Sequence, residues 1–277
     1  MIKYAASLAR DTKPRSVWER HLYDIIGVAF AGTIATGSAL AADMPMKAPA
    51  APAYQWGGCY LGVNVGGGAS GTNFGSAVDP GTYLAAGDAA TVASSGSGGA
   101  NADGFLGGGQ AGCNYQTGTL VFGLEGDFDY FHSNPQFNNN TNMLANGNKF
   151  SISQSLTTNY LATVRPRIGI AADRNLAYIT GGAAFTSVGY TTNYVDANTP
   201  PGTGAAIALR ALIGWTAGAG WEYAWTDHWT VRAEYLLASF PTTSALGAIT
   251  GAGGTNTLHG STDLVVQIVR AGVNFKF

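Results

Sequence analysis

The sequence predicts an all-β fold: an eight-stranded antiparallel up-and-down transmembrane β-barrel, preceded by a helical signal peptide and a flexible linker. Three observations predict it. After Trp56, apolar and polar residues alternate with period two in eight separate stretches. The connections between these stretches alternate strictly between short and long. Charge is scarce: Asp, Glu, Lys and Arg make up 11% of 277 residues, beside 40 glycines and a hydrophobic fraction of 46%. An ordinary soluble domain carries about twice that charge to wet its surface, and a wall solvated by lipid does not need it.

The N-terminal segment, residues 1–41, has the layout of a secretory signal peptide. Arg10, Lys13, Arg15 and Arg20 form a basic region, residues 22–40 an apolar run, and Ala39-Leu40-Ala41 a small-x-small cleavage site. Gly27, Gly32, Thr33, Thr36, Gly37 and Ser38 make the run too weakly apolar for a stable span. Residues 42–55 are rich in Pro and Ala and lack strand alternation, which predicts an extended periplasmic linker. Residues 56–277 are the expected barrel. Cleavage leaves 9 basic and 13 acidic residues, with no basic patch, so nucleic-acid binding is excluded.

The strands follow in order. Cys59, Leu61, Val63 and Val65 alternate with Tyr60, Gly62, Asn64 and Gly66; Phe105, Ala111, Cys113 and Tyr115 oppose Gln110 and Asn114. Leu120, Phe122, Leu124, Phe128 and Tyr130 face away from Glu125, Asp127 and Asp129, and Tyr160, Ala162, Val164, Pro166, Ile168 and Ile170 from Asn159, Thr163, Arg165 and Arg167. In the fifth stretch, residues 176–190, Gly181 to Ala184 blur the phase, though Ile179 and Phe185 agree. The sixth sets Ile213, Trp215, Ala217, Ala219, Trp221 and Tyr223 against Thr216 and Glu222. The seventh sets Trp229, Val231, Ala233, Tyr235 and Leu237 against Arg232 and Glu234, and the last Val269, Ala271, Val273, Phe275 and Phe277 against Arg270, Asn274 and Lys276.

Tight turns are expected at Gln116-Thr117-Gly118, Asp173-Arg174-Asn175 and Thr226-Asp227-His228. Long loops are expected at 67–104, 132–155, 191–209 and 239–262. Short turns on one side and long loops on the other are the mark of a Gram-negative outer-membrane barrel, with its turns in the periplasm. Aromatic residues agree. Tyr115, Tyr178, Trp221, Tyr223, Trp225, Trp229, Phe275 and Phe277 gather near the turns, and Phe128, Tyr130, Tyr160, Phe185, Tyr235 and Phe240 near the loops, as two interfacial girdles.

The polar phase carries Glu125, Asp127, Asp129, Arg165, Arg167, Glu222, Arg232, Glu234 and Arg270. Facing a narrow lumen, these charges must pair. The expectation is a salt-bridged plug in a barrel only wide enough for side chains.

The C-terminal run Arg270-Ala271-Gly272-Val273-Asn274-Phe275-Lys276-Phe277 resembles the insertion signal read by the barrel-assembly machinery of Gram-negative bacteria. Arg270, Gly272, Phe275 and Phe277 carry that likeness. With it, Trp56-Gly57-Gly58-Cys59-Tyr60-Leu61-Gly62-Val63-Asn64, the Gly104-Phe105-Leu106-Gly107-Gly108-Gly109-Gln110 stretch, Leu124-Glu125-Gly126-Asp127 and Val164-Arg165-Pro166-Arg167-Ile168-Gly169 look like the small outer-membrane immunogenic protein family, often filed as porin-like. The resemblance runs from Trp56 to Phe277 and implies an eight-stranded barrel. It departs at Cys59 and Cys113, where the family commonly has aromatics.

Other constellations carry little. A disulfide between Cys59 and Cys113 is geometrically open in an oxidising compartment, but two lipid-facing free thiols are the expected state. His132, His228 and His259 lack ligand spacing, so no metal, haem or other cofactor is expected, and haem binding stands only as something described for relatives. Asp129 with His132 lacks a nucleophile. Gly66-Gly67-Gly68 and Gly107-Gly108-Gly109 lack the Lys and following helix of a phosphate loop. The expected function is therefore a non-enzymatic structural surface barrel with a filled lumen, whose partners are outer-membrane lipid, lipopolysaccharide and, during biogenesis, the assembly machinery. A porin-like channel for small solutes is the alternative, and ligand binding by the loops a distant third.

Overall fold

The structure, a computed structural model, describes residues 54–277. The expected signal peptide and nearly all of the expected linker lie outside the described residues. Nine strands and one helix follow in order: β1 (Gly58–Val78), α1 (Ala86–Ser95), β2 (Gly98–Thr117), β3 (Leu120–Ser133), β4 (Gln136–Met143), β5 (Lys149–Ala172), β6 (Asn175–Asp196), β7 (Thr203–Ala224), β8 (Trp229–Gly251) and β9 (Gly254–Lys276). Each strand pairs antiparallel with the next except β3 and β4, which both pair with β5 as two pieces of one stave. The ring closes where β1 pairs with β9, from Tyr60↔Lys276 to Val78↔Leu258. Eight staves thus close the sheet into a ring among the described residues, the condition for a sheet to sit in hydrocarbon.

The three tight turns lie where expected. Gly118 (φ 60°) and Asp173 (φ 51°) take the left-handed conformation that reverses β2 into β3 and β5 into β6. The N–H of Thr226 donates to the carbonyl of Trp229 at 3.1 Å. The long loops are corrected. β1 runs on to Val78, β4 occupies the middle of the second loop, β6 reaches Asp196, and only Ala252 and Gly253 separate β8 from β9. What remains of the loops is 79–97, which holds α1, together with 134–135, 144–148, 197–202 and 252–253.

The extra strand length has its own chemistry. Near the turns the outward residues are apolar, as in Val164, Ile168 and Ile170 of β5 or Ile179 of β6. In the far half of the same strands Ser151, Ser153, Ser155, Ser187, Thr191 and Thr257 face out, and Phe150, Ile152, Leu156, Val188, Tyr190 and Leu258 are buried inside. The wall is inverted between its halves, as expected if lipid bathes one and water the other. On β5 the apolar-out stretch covers 160–170; about 11 residues rising ~3.3 Å each at ~45° tilt span about 25 Å, the height of an outer-membrane apolar band. β-Bulges mark the exchange level, at Tyr130/Ser133 of β3, Thr158/Ala162 of β5 and Phe240/Thr243 of β8.

Two aromatic girdles bound the band. Trp221 stacks on Tyr223 and Trp229 meets Phe275 at the turn end; Phe128 stacks on Tyr160 at 5.5 Å at the far end. Tyr178 and Phe240 leave the girdles: both are 4% exposed and point inward. Both lie one residue out of phase with their outward neighbours Ile179 and Ser239.

Candidate functional site in the lumen

The interior is filled in three tiers. At the turn end, Tyr54 and Trp56 pack with Val121, Ala171, Leu176, Tyr178 and Ala224. Trp56 is held by its indole N–H donating to the Asp173 carbonyl (3.2 Å) and its backbone N–H to Gln116 Oε1 (2.6 Å). Tyr54, assigned by sequence to the linker, is buried in this base.

Above it lies a belt of charge, and all nine polar-phase residues expected in the lumen are there, each buried. The register brings them together: Glu125 lies opposite Arg165, Glu222 opposite Arg232 and Glu234 opposite Arg270. Arg165, 0% exposed, reaches Glu125 at 2.7 Å, Asp127 at 2.8 Å and Glu234 at 3.1 Å. Arg270 spans Asp129 at 2.6 Å, Glu234 at 2.7 Å and Asp127 at 3.1 Å. Arg232 holds Glu125 at 2.5 Å, and Arg167 holds Glu222 at 3.1 Å while sandwiched between the rings of Tyr60 and Tyr178, 4.9 and 5.0 Å from its guanidinium carbon. Buried charge is tolerable only with such multiple partners.

Sequence reasoning left out the neutral members. Tyr60 donates to Glu125, Tyr178 to Glu234, and Arg232 to Gln110, which donates to Asn274, which donates to Glu222. They share the inward phase with the charges, and that phase was the available signal. Glycine makes room for the long side chains. Gly112 faces Glu125, Gly123 faces Arg167, Gly220 faces Glu234 and Gly272 faces Arg232. A Cβ at Gly272 would come within 3.0 Å of Gln110 Nε2, so this member of the C-terminal motif also shapes the belt.

The third tier, in the far half, is an apolar core that sequence reasoning missed, including Phe74, Leu106, Phe131, Ile152, Tyr190, Phe240 and Ile268. Helix α1 closes it with Ala89 and Val92. At the rim, Asp196 accepts from Tyr83 (2.6 Å), Tyr194 (2.8 Å) and the N–H groups of Gly202 (2.9 Å) and Asn198 (3.0 Å). Burial alone would raise its carboxyl pKa, but these donors outweigh it and hold the carboxyl below its ordinary range. Burial and the same carboxylate push Tyr194 up.

The remaining candidates are separated. Cys59 and Cys113 are register partners joined by a disulfide, which corrects the expectation of free thiols. Asp129 is buried on Arg270 whereas His132 lies exposed on Asn159, so they form no acid–base pair. His228 contacts the Lys276 carbonyl and His259 contacts Asp79. Both His132 and His259 lie in strands rather than loops. Among the described residues no cluster of three or more His, Cys, Asp or Glu could hold a metal. Gly66 to Gly68 and Gly107 to Gly109 are strand residues of the β1–β2 wall.

A closed antiparallel ring with apolar flank, aromatic girdles and charged lumen defines an outer-membrane β-barrel. The chain belongs to the outer membrane protein beta-barrel domain family, which it matches over residues 38–277. It is similar to the 31 kDa outer-membrane immunogenic protein of Brucella melitensis biotype 1, at 31% identity over 91% of this chain and 99% of the relative. The 25 kDa outer-membrane immunogenic protein of Brucella abortus biovar 1 is 24% identical over 90% and 92%. Among solved structures, the outer membrane protease OmpT from Escherichia coli aligns with a TM-score of 0.43 at 8% identity, over 82% of this chain and 99% of that one. The outer membrane protein OprG from Pseudomonas aeruginosa aligns at 0.37 and 11%, over 81% and 99%. The chain is an outer-membrane protein of the Gram-negative envelope, of the immunogenic surface family.

Proposed function

We propose that this chain is a non-catalytic structural barrel that strengthens the outer membrane and displays its far rim to the surroundings. The observation that carries this reading is the filling of the lumen along its height: an aromatic base, an arginine–carboxylate belt in which every charged side chain has an ion-pair partner, and an apolar core under α1. A path for solute would have to break several buried ion pairs at once, each costly to leave unpaired. Outer-membrane lipid and lipopolysaccharide are then its partners along the flank, and the assembly machinery reads Arg270, Gly272, Phe275 and Phe277 during insertion.

Planar-bilayer recording of the mature, refolded protein tests the closed lumen. The expected trace is electrically silent with a barrel verified by heat-modifiable migration. A stable, large unitary current would replace this reading with that of a channel for small solutes.

A further inference from the structure

One stretch of the wall is not laced. Pairing of β7 with β8 rises from the turns as far as Trp215↔Ser239 and resumes only at Ala206↔Gly247, so 207–214 and 240–246 do not bond each other. β8 also slips against β9 between Phe240 and Thr243, around Pro241, which has no N–H to give to a ladder. On its other side β7 stays paired with β6 throughout, from Phe185↔Ile213 to Thr191↔Ile207. That register fixes the height of the seam. Ile213 is level with Phe185 of the far girdle and Ile207 with water-facing Thr191, so the seam straddles the boundary between the acyl region and the outer headgroups.

Its side chains break the pattern of the wall at this height. Ile207, Leu209 and Leu246 are 64%, 80% and 68% exposed, where neighbouring β6 presents Ser187 and Thr191. Arg210 falls in the inward phase of β7 yet is exposed, and among the described residues it has no ion-pair or hydrogen-bond partner. By contrast Arg165, Arg167, Arg232 and Arg270 pair within the belt and Arg174 pairs with Asp227. Unpaired backbone, exposed aliphatic side chains and an unmatched guanidinium therefore meet at one depth.

We propose that the β7–β8 seam binds one phosphorylated acyl lipid of the outer leaflet. Arg210 takes the phosphate, whose oxygens match the guanidinium fork. An acyl chain runs down from it into the apolar band along Ile213 and Trp215, 66% and 53% exposed, and headgroup oxygens and hydroxyls meet Ile207, Leu209 and the backbone groups that the missing ladder leaves open. An added peptide strand fits less well, because the seam is closed by paired register at both ends and offers no free edge along which a strand could enter. The inference rests on the membrane reading of the flank and is independent of whether the lumen conducts.

Native mass spectrometry of the mature protein in neutral detergent, titrated with lipid A and with chemically dephosphorylated lipid A, tests it. The wild type is expected to retain one lipid A and to bind the dephosphorylated form on the order of tenfold more weakly, the loss of one charge-assisted contact. Arg210→Gln loses that factor for lipid A and not for the dephosphorylated form, Ile213→Ser weakens both, and Arg174→Gln changes neither. Heat-modifiable migration verifies that each variant is a closed barrel, and Arg210→Lys, which keeps the charge, retains a preference for the phosphorylated form. Equal binding of the two lipids by the wild type, or unchanged lipid A binding by a folded Arg210→Gln, overturns the proposal.

Discussion

Arg165 is completely enclosed and serves three carboxylates, two from β3 and one from β8, so its removal strands charge rather than merely deleting a contact. Breaking one partner out of a buried ion network costs about 3–5 kcal/mol, whereas the Arg174–Asp227 pair at the turn surface, 38% and 80% exposed, is worth at most about 1 kcal/mol. Arg165→Met is accordingly expected to lower the urea midpoint of the micelle-refolded barrel strongly and Arg174→Met hardly at all, read by loss of heat-modifiable migration. Equal midpoints for the two variants would mean that the belt contributes no more than surface charge. The charged members were legible in the sequence because strict alternation placed each carboxylate and guanidinium on one face. Tyr60, Gln110 and Asn274 were not, since a neutral side chain in the inward phase announces no need for a partner.

Whole strands show where such reading stops. On β5 the apolar residues stay on even positions from Phe150 through Ile152 and Leu156 to Tyr160, Val164, Ile168 and Ile170, yet the bulge between Thr158 and Ala162 turns the same phase from the core to the lipid. One inserted residue reverses every side chain beyond it, and a pattern scan sees only Ser- and Thr-rich sequence with no boundary. The far halves were therefore expected as loops. The Cys59–Cys113 bridge ties β1 to β2 across a sequence separation of 54, a closure worth about 4 kcal/mol by loop entropy. A Cys59→Ser/Cys113→Ser variant should lose stability on that order in urea, and the wild type should take up thiol-alkylating reagent only after reduction; alkylation without reductant would refute the bridge. At the rim, donors hold the Asp196 carboxyl low. Its contribution is then complete above the ordinary carboxylate value of about 3.9 and fades as pH falls through the lower folded value. Pepsin should cleave at Tyr194, beside the 197–202 loop, increasingly toward the acid end, and Asp196→Asn should be cleaved there readily already near pH 4 to 5. Matching cleavage profiles for the two proteins would remove Asp196 from the rim's support.

At the scale of the whole molecule the barrel is two solvents' worth of wall on one continuous sheet. A membrane stave needs about 9–11 residues, and these strands run to 24 in β5, so roughly half of each must stand in water. The far half is built as a soluble domain is, with Ile152, Tyr190 and Leu258 inside and Ser153, Thr191 and Thr257 outside, and it can tolerate an apolar core because water, not lipid, solvates its flank. The near half instead packs Arg against Glu and Asp, above its small aromatic base, behind Val164, Ile179 and Val269. Single cysteines introduced on the outward face map this division directly. In intact cells a membrane-impermeant maleimide should label Ser153→Cys and Thr257→Cys, and should fail to label Val164→Cys, Ile179→Cys and Val269→Cys until the membrane is dissolved and the barrel unfolded. The step should fall at the level of Tyr160 and Phe185, where the far girdle ends. Uniform labelling along β5 would show that no part of this stave is shielded by lipid, and uniform protection would put the far half inside a layer far thicker than the ~25 Å apolar band that outer-membrane barrels span.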